Sequence, residues 1–122
     1  MHYVLNGHEV VPEPDFTAWA RWIEANKGVP RRDDPEGMDP CRVGSDDVGE
    51  WWVSTVFMGL DYSWVPGGRP TVFETMVFPK GSYDEAYMQR YATWDEAEAG
   101  HRRVVEGLKA GKMPEKLYSD DS

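Results

Sequence analysis

The middle of the chain holds three strand-like runs joined by turn-rich segments. Residues 51–60, 71–78 and 86–93 are rich in β-branched and aromatic side chains, which favour strands. Residues 61–70 and 79–82, which follow the first two runs, are dense in Gly, Pro and other turn formers. Parallel neighbours need a crossover of about a dozen residues or more, with a helix as its usual form. The pattern therefore predicts an antiparallel meander of three strands.

The N-terminal segment carries the local signals of a hairpin followed by a helix. Asn6 and Gly7 stand between two short apolar runs, and both residue types suit a two-residue turn with positive φ. Asp15 can cap a helix, because apolar side chains recur at helical spacing over residues 16–23. Gly28 ends this pattern. We expect a small hairpin and a helix that lies flat on the sheet.

The C-terminal helix has the clearest boundary in the chain. Thr93 and Glu96 form a capping box, and Asp95 adds negative charge where the helix dipole favours it. The positions expected to be buried form one stripe, which consists of Trp94, Ala97, His101, Val104, Val105 and Leu108. Gly111 is the expected stop, and residues 112–122 are expected to form a flexible acidic tail.

Together these elements predict a single α+β domain over residues 1–111. It comprises an N-terminal β-hairpin, a helix, a three-stranded antiparallel meander and a C-terminal helix, with both helices on the sheet. A chain of 122 residues has no room for a second core. Only 22 residues are Val, Leu, Ile or Phe, and with a net charge of −9 this lies near the composition of disordered chains. Sixteen aromatic rings and six methionines supply apolar area, so we expect a folded domain with an aromatic core.

The charge balance indicates which partners the chain can bind. With 22 acidic and 13 basic side chains, it repels phosphate backbones and anionic membranes but suits a basic protein surface. Residues 29–50 are predicted to form a long solvated loop, and its spacing does not match a calcium-binding loop. We therefore expect no metal and no direct nucleic-acid binding. The candidate protein-contact residues are Asp33, Asp34, Glu36, Asp46 and Asp47 of this loop, together with Trp64.

Several recognised features of other protein classes are missing from the sequence. Cys41 is the only cysteine, so no intramolecular disulfide supports the fold and a reducing compartment fits best. The first residues lack the basic start and the long apolar stretch of a signal peptide, so we expect none, and no apolar stretch is long enough to span a membrane. A nucleophile elbow, a phosphate-binding glycine loop and a dinucleotide fingerprint are also missing. We assign no catalytic residue and expect no cofactor.

Two polar side chains interrupt apolar patterns, and each has two interpretations. Glu74 lies in the apolar run of the second strand, where it either pairs with an arginine such as Arg90 or binds a ligand. His101 is either a core histidine bonded to the backbone or to a carboxylate, or a functional group. In the ligand-binding interpretation, Glu74, Tyr91 and His101 line a pocket between the sheet and the C-terminal helix. Gly100 indicates close packing of that helix on a large ring.

The first strand of the meander lacks the clean alternation of a sheet with one face in water. Apolar side chains occur at both odd and even positions of residues 51–60. We therefore expect both faces to be covered. The second face would meet a partner subunit, as in a homodimer, or close over a ligand.

Three segments carry a resemblance to a known group of proteins. They are WVSTVFMGLD at residues 52–61, FETMVF at 73–78 and RYATWDEAEAGH at 90–101. The chain resembles a group of small uncharacterised proteins encoded by tailed phages and prophages. The likeness spans residues 3–108, includes DFTAWARW of the first helix, and is lost in the acidic segment at 30–50, in residues 80–86 and in the tail. The resemblance implies a setting, the cytoplasm of an infected host cell.

Three functions agree with these observations. The first is a non-enzymatic phage protein that binds a host or antiviral-defence protein through the acidic segment. The second is a small-molecule binder, for a signalling nucleotide or a metabolite, or a minor enzyme that uses the pocket of Glu74, Tyr91 and His101. The third is a dimeric module with a purely structural role.

Overall fold

The computed structural model of the protein describes residues 2–26, 40–61, 69–82 and 84–112. Its elements are β1 (Tyr3–Asn6), β2 (Glu9–Pro12), α1 (Phe16–Asn26), β3 (Arg42–Val48), β4 (Trp51–Phe57), β5 (Phe73–Pro79), β6 (Tyr87–Tyr91) and α2 (Trp94–Lys109). The sheet has the antiparallel order β3-β4-β5-β6, and β1 and β2 form a separate hairpin. The predicted α+β fold, with a C-terminal helix packed on the sheet, is confirmed.

The meander has four strands, so the prediction of three was wrong. The additional strand, β3, lies inside the segment predicted as a loop at 29–50. It pairs with β4 from Arg42 opposite Val56 to Val48 opposite Trp51. Gly49, with φ of +58°, allows the tight turn between the two strands. Asp and Gly have low strand propensity, but pairing with a neighbouring strand overrides propensity at a sheet edge.

The N-terminal hairpin and helix both form, but they lie beside the sheet more than on it. Asn6 pairs with Glu9, so the turn consists of Gly7 and His8, and the prediction of a turn at Asn6 and Gly7 was wrong by one residue. Gly7, with φ of +65°, supplies the positive φ of the turn, whereas Asn6 stays in the strand. Asp15 caps α1, because its Oδ1 accepts a hydrogen bond of 2.9 Å from the backbone N–H of Thr17. The hairpin joins the end of β4 through a hydrogen bond of 2.8 Å from the Tyr3 N–H to the Gly59 carbonyl. α1 packs mainly on β1 and contacts the sheet where Trp22 meets the Phe57 ring edge-on. The expectation that both helices lie on the sheet is therefore correct only for α2.

α2 begins at the predicted cap and buries the predicted stripe except for Trp94, which is half-buried. Thr93 Oγ1 accepts a hydrogen bond from the Glu96 N–H, and a Glu96 carboxylate oxygen accepts one from the Ala92 N–H. Partial burial of the Glu96 carboxyl group acts to raise its pKa, but the ion pair with Arg69 and the Ala92 N–H outweigh burial, so the pKa is lowered. The buried residues of the helix are Ala97, Gly100, His101, Val104, Val105 and Leu108. Gly111, with φ of +80°, follows the last turn.

Both faces of β4 are buried, as the lack of alternation predicted. Val53, Thr55 and Phe57 face α2 and are at most 1% exposed. On the opposite face, Trp52 and Ser54 are at most 2% exposed. Trp52 stacks on Phe78 of β5, with ring centroids 5.3 Å apart. Within the described residues, no helix is long and apolar enough to cross a membrane.

The layer between the sheet and α2 contains two apolar clusters, and polar side chains lie between them. One cluster is built around Phe57 and Phe73, and the other around Val53, Val77 and Val104. Thr55 lies between Val53 and Phe57 on β4, so it falls at the boundary of the two clusters. Polar side chains are therefore part of the domain core.

The packing of α2 on Tyr91 gives a prediction for two glycines of that helix. A methyl group at position 100 would overlap the Tyr91 ring, whereas one at position 107 would make an ordinary contact with the Lys112 carbonyl at 3.4 Å. Gly100→Ala should lower the free energy of unfolding by about 1–3 kcal/mol because the core is overpacked. Gly107→Ala, the matched control, should raise it by up to about 1 kcal/mol through helix propensity. Urea denaturation measures the free energy of unfolding of both variants. An equal increase for the two would contradict the close packing of Gly100 on Tyr91.

Candidate functional site

A series of hydrogen bonds leads from the surface at β3, through α2, to β4 and β5 in the core. Asp46 Oδ2 of β3 lies 2.7 Å from His101 Nε2 of α2. The other ring nitrogen, Nδ1, lies 2.7 Å from Thr55 Oγ1 of β4. Thr55 Oγ1 lies 2.5 Å from Thr75 Oγ1, and the two threonines are cross-strand partners on β4 and β5. We call Asp46, His101, Thr55 and Thr75 the polar chain.

The direction of these hydrogen bonds follows from what each group can donate. An ionised carboxylate only accepts, so Nε2 of His101 donates to Asp46. In a neutral ring the other nitrogen then accepts, which requires the Thr55 hydroxyl to donate to Nδ1. The Thr75 hydroxyl in turn donates to the Thr55 oxygen. Every hydrogen-bonding nitrogen of the buried imidazole is thereby satisfied, which is what a polar group in a core requires.

A glycine of β3 makes room for the imidazole ring. Gly44 is the cross-strand partner of Thr55. A Cβ atom at position 44 would lie 2.7 Å from His101 Nε2, closer than non-bonded atoms approach. The ring therefore packs over the bare backbone of β3, and this close approach lets Asp46 reach it.

The polar chain has the acid, imidazole and hydroxyl groups of a hydrolase triad, but its hydroxyl is inaccessible. Thr55 is 0% exposed, and its oxygen is engaged by both His101 and Thr75. A nucleophile must reach the substrate carbon, so Thr55 cannot attack one in this conformation. His101 is bonded to the Asp46 carboxylate, as the first of its two interpretations predicts.

The outer end of the polar chain opens into a surface depression between β3 and α2. It has a volume of about 410 Å³ and is lined by Asp46, Glu98, His101, Arg102 and Val105. Glu98 and Arg102 form an exposed ion pair of 3.8 Å on adjacent turns of α2. The Asp46 side chain is 52% exposed, so its carboxylate is accessible from solvent although it also binds His101.

Tyr91 lies beside the polar chain, with its hydroxyl against Gly100. Burial raises the pKa of Tyr91 to about 12, and the nearby Thr75 hydroxyl only moderates this increase. The Tyr91 and Thr75 hydroxyls lie near each other but do not reach hydrogen-bond geometry, and the Tyr91 hydroxyl has no other partner within the described residues. Close packing of Gly100 on a large ring, as predicted, is confirmed with Tyr91 as that ring.

Glu74 is separated from the other two predicted pocket residues by the sheet itself. It is opposite Arg90 in the register of β5 and β6, on the face away from α2. Arg90 Nε donates a hydrogen bond of 3.1 Å to its carboxylate, which confirms the ion-pair interpretation. Glu74, Tyr91 and His101 therefore do not line one pocket. The prediction placed them together because sequence position alone does not reveal which face of a strand meets the helix.

Two of the six predicted protein-contact residues lie within the described part of the chain. Asp46 and Asp47 are exposed on β3, which is an edge strand of the sheet. Asp33, Asp34, Glu36 and Trp64 lie outside the described residues. In the described ranges, no group of three His, Cys, Asp or Glu side chains could hold a metal ion.

Comparisons with protein-family models, with curated proteins and with solved structures found no match to this chain.

Removing one hydroxyl should show how much the polar chain stabilises the fold. Thr55→Val leaves His101 Nδ1 without its donor in the core, so the free energy of unfolding should fall by about 1–3 kcal/mol. The adjacent Ser54 is equally buried, but its hydroxyl has no partner within the described residues. Ser54→Ala is therefore the matched control and should change stability by less than about 0.5 kcal/mol. Equal losses in urea denaturation would mean that the polar chain adds nothing.

The buried Tyr91 hydroxyl should make the protein sensitive to alkali. Because folding raises its pKa from 10.0 to about 12, stability is intact below pH 10 and falls as the pH rises towards 12. Tyr91→Phe should remove this contribution, which is at most about 1.4 kcal/mol per pH unit. At neutral pH the variant should be about as stable as the wild type. Unfolding curves recorded across this pH range test the prediction, and identical curves would contradict it.

Proposed function

We propose that this chain is a small acidic binding protein of phage type. It engages a host or antiviral-defence protein in the cytoplasm of the infected cell, and it acts by binding instead of by catalysing a reaction. The partner offers a basic surface, because the chain carries a net charge of −9.

The observation that carries this proposal is the position of three exposed residues on one edge of the sheet, which we call the acidic edge. Ser45, Asp46 and Asp47 are three consecutive exposed residues on the edge strand β3. Asp46 is held in place by His101, so this acidic edge is presented by a rigid element instead of a flexible loop. Positioned charges of one sign steer and orient a partner of the opposite sign.

The polar chain supports binding more than chemistry. Its threonine hydroxyls are both fully buried and serve to join β4, β5 and α2. The imidazole has both nitrogens engaged, so neither is available to a substrate without breaking a core hydrogen bond. The functional groups at this site are therefore used in the core, and the carboxylates are the groups left exposed.

The phage setting rests on the three resembling segments. Thr55, Thr75, Gly100 and His101 all lie within those segments. Asp46 and Asp47 lie in the segment where the likeness is lost. This division suits a shared scaffold whose contact surface differs from one protein to the next.

Charge reversal at the acidic edge tests the proposal. The tagged wild-type protein is used to capture partners from a lysate of its bacterial host, and native mass spectrometry of the eluate reports bound proteins, bound small molecules and subunit number. We expect one host protein in stoichiometric amount. Asp47→Lys should weaken the affinity of the purified partner by about tenfold or more.

Glu85→Lys provides the matched control. Glu85 is exposed just before β6, at the opposite edge of the sheet, and the substitution changes the net charge by the same amount. It should leave the affinity nearly unchanged. Equal weakening by both variants would mean that the net charge of the protein, and not the acidic edge, determines the affinity. An eluate that holds a bound metabolite, or a homodimer alone, would contradict the proposal and support the second or third function.

A further inference from the structure

The outer edge of β3 carries backbone groups that the sheet does not use. In an antiparallel pair, alternate residues direct their N–H and C=O groups towards the partner strand, and the residues between them direct theirs away. The Phe57 N–H donates to the Cys41 carbonyl across the β3–β4 boundary, which shows that the odd-numbered residues of β4 bond towards β3. Their partners in the register are Gly44, Asp46 and Val48.

Ser45 and Asp47 are therefore the residues of β3 whose backbone groups point outwards. Both are exposed, and β3 has no neighbour on this side among the described strands. At the other edge, β6 contains no exposed residue, so its outer side is less accessible. An unpaired strand edge is a template for the addition of another strand.

We infer that a basic, extended segment of the partner protein adds to the sheet as a fifth strand along β3. This inference rests on the proposed function and specifies how the partner binds. The added strand forms backbone hydrogen bonds with Ser45 and Asp47, and its lysine or arginine side chains lie beside Asp46 and Asp47.

Charge selects this occupant over a second copy of the chain. Pairing two copies of β3 would bring Asp46 and Asp47 of one copy close to the same acids of the other, and like charges on paired strands destabilise a sheet. A basic strand replaces this repulsion with attraction at the same positions. The acidic edge therefore discourages self-association and favours a basic partner.

The surface depression gives the added strand a specific place for one long side chain. The side chain of Asp46 lies on the face of the sheet that meets α2, where the depression opens. A partner residue opposite Asp46 on the added strand has its side chain on the same face. A lysine there can extend into the depression, towards the carboxylates of Asp46 and Glu98.

Synthetic peptides test the inference on the full-length protein. The probe is a short extended peptide in which pairs of lysines alternate with pairs of valines, so that both faces of the added strand carry lysines, and the control peptide has glutamates in place of the lysines. We expect the lysine peptide to bind and to slow amide hydrogen exchange at Ser45 and Asp47. The exchange of Asp46, whose N–H already faces β4, should change little. The glutamate peptide should not bind.

Two changes separate backbone pairing from attraction between charges. Asp47→Pro removes the outward N–H and the charge, whereas Asp47→Asn removes the charge alone; proline is tolerated on an edge strand. Asp47→Pro should weaken peptide binding by about tenfold relative to Asp47→Asn, as expected for lost backbone hydrogen bonds. A lysine peptide whose backbone nitrogens are methylated along the edge that faces β3 should bind the unaltered protein as weakly as the unmethylated peptide binds Asp47→Pro. This second comparison keeps the test valid if the proline variant misfolds.

The results that would overturn edge pairing differ from those that would contradict the proposed function. Failure of the lysine peptide to bind, protection of β6 amides instead of Ser45 and Asp47, or equal binding of the methylated and unmethylated peptides would overturn edge pairing. A captured host protein that binds Asp47→Pro as tightly as Asp47→Asn would overturn edge pairing and leave the proposed function intact. A wild-type protein that captures no host protein would instead contradict the proposed function.

Discussion

The hydrogen bonds of His101 fix the position of α2 on a sheet that the helix otherwise contacts through apolar side chains. Through one ring nitrogen, α2 is tied to Asp46 of β3, and through the other to Thr55 of β4. Thr55 passes the connection to Thr75 of β5. Apolar contacts are non-directional, so the two clusters on either side of the polar chain would tolerate a shifted helix. The hydrogen bonds would not, because a displaced helix leaves buried polar groups unpaired.

The same interaction explains how a strand with an unfavourable sequence holds its place. β3 contains glycine and two adjacent aspartates, which are poor strand formers. Pairing with β4 satisfies its inner backbone groups, and the bond between Asp46 and His101 fixes it to α2. Gly44 is needed at the point of contact because any side chain there would collide with the imidazole. The conformation of β3 is therefore set by its neighbours.

A strand held in this way presents its outer edge with a defined geometry. Asp46 belongs both to the core hydrogen-bond chain and to the exposed edge, while Asp47 next to it belongs to the edge alone. Binding surfaces built on rigid elements lose less conformational entropy when a partner binds. This connects the buried polar groups to the proposed function, since they position the acidic edge without contacting the partner.

The sequence by itself determined the elements whose signals are local. The hairpin at Gly7, the cap at Thr93, and the apolar runs of β4 and β5 depend on residues within a few positions of one another. The packing of Gly100 on a large ring also followed from its place in the helix pattern, whereas the ion pair of Glu74 with Arg90 was one of two interpretations that the sequence left open. The strand register decided that the turn is Gly7 and His8 instead of Asn6 and Gly7. Only the tertiary structure decided that Arg42–Val48 is a strand, that Asp46 binds His101 across 55 positions, and that Glu74 faces away from α2. The physical reason is that a polar edge strand is stabilised by the strand beside it, and a hydrogen bond between distant residues leaves no local pattern in the sequence.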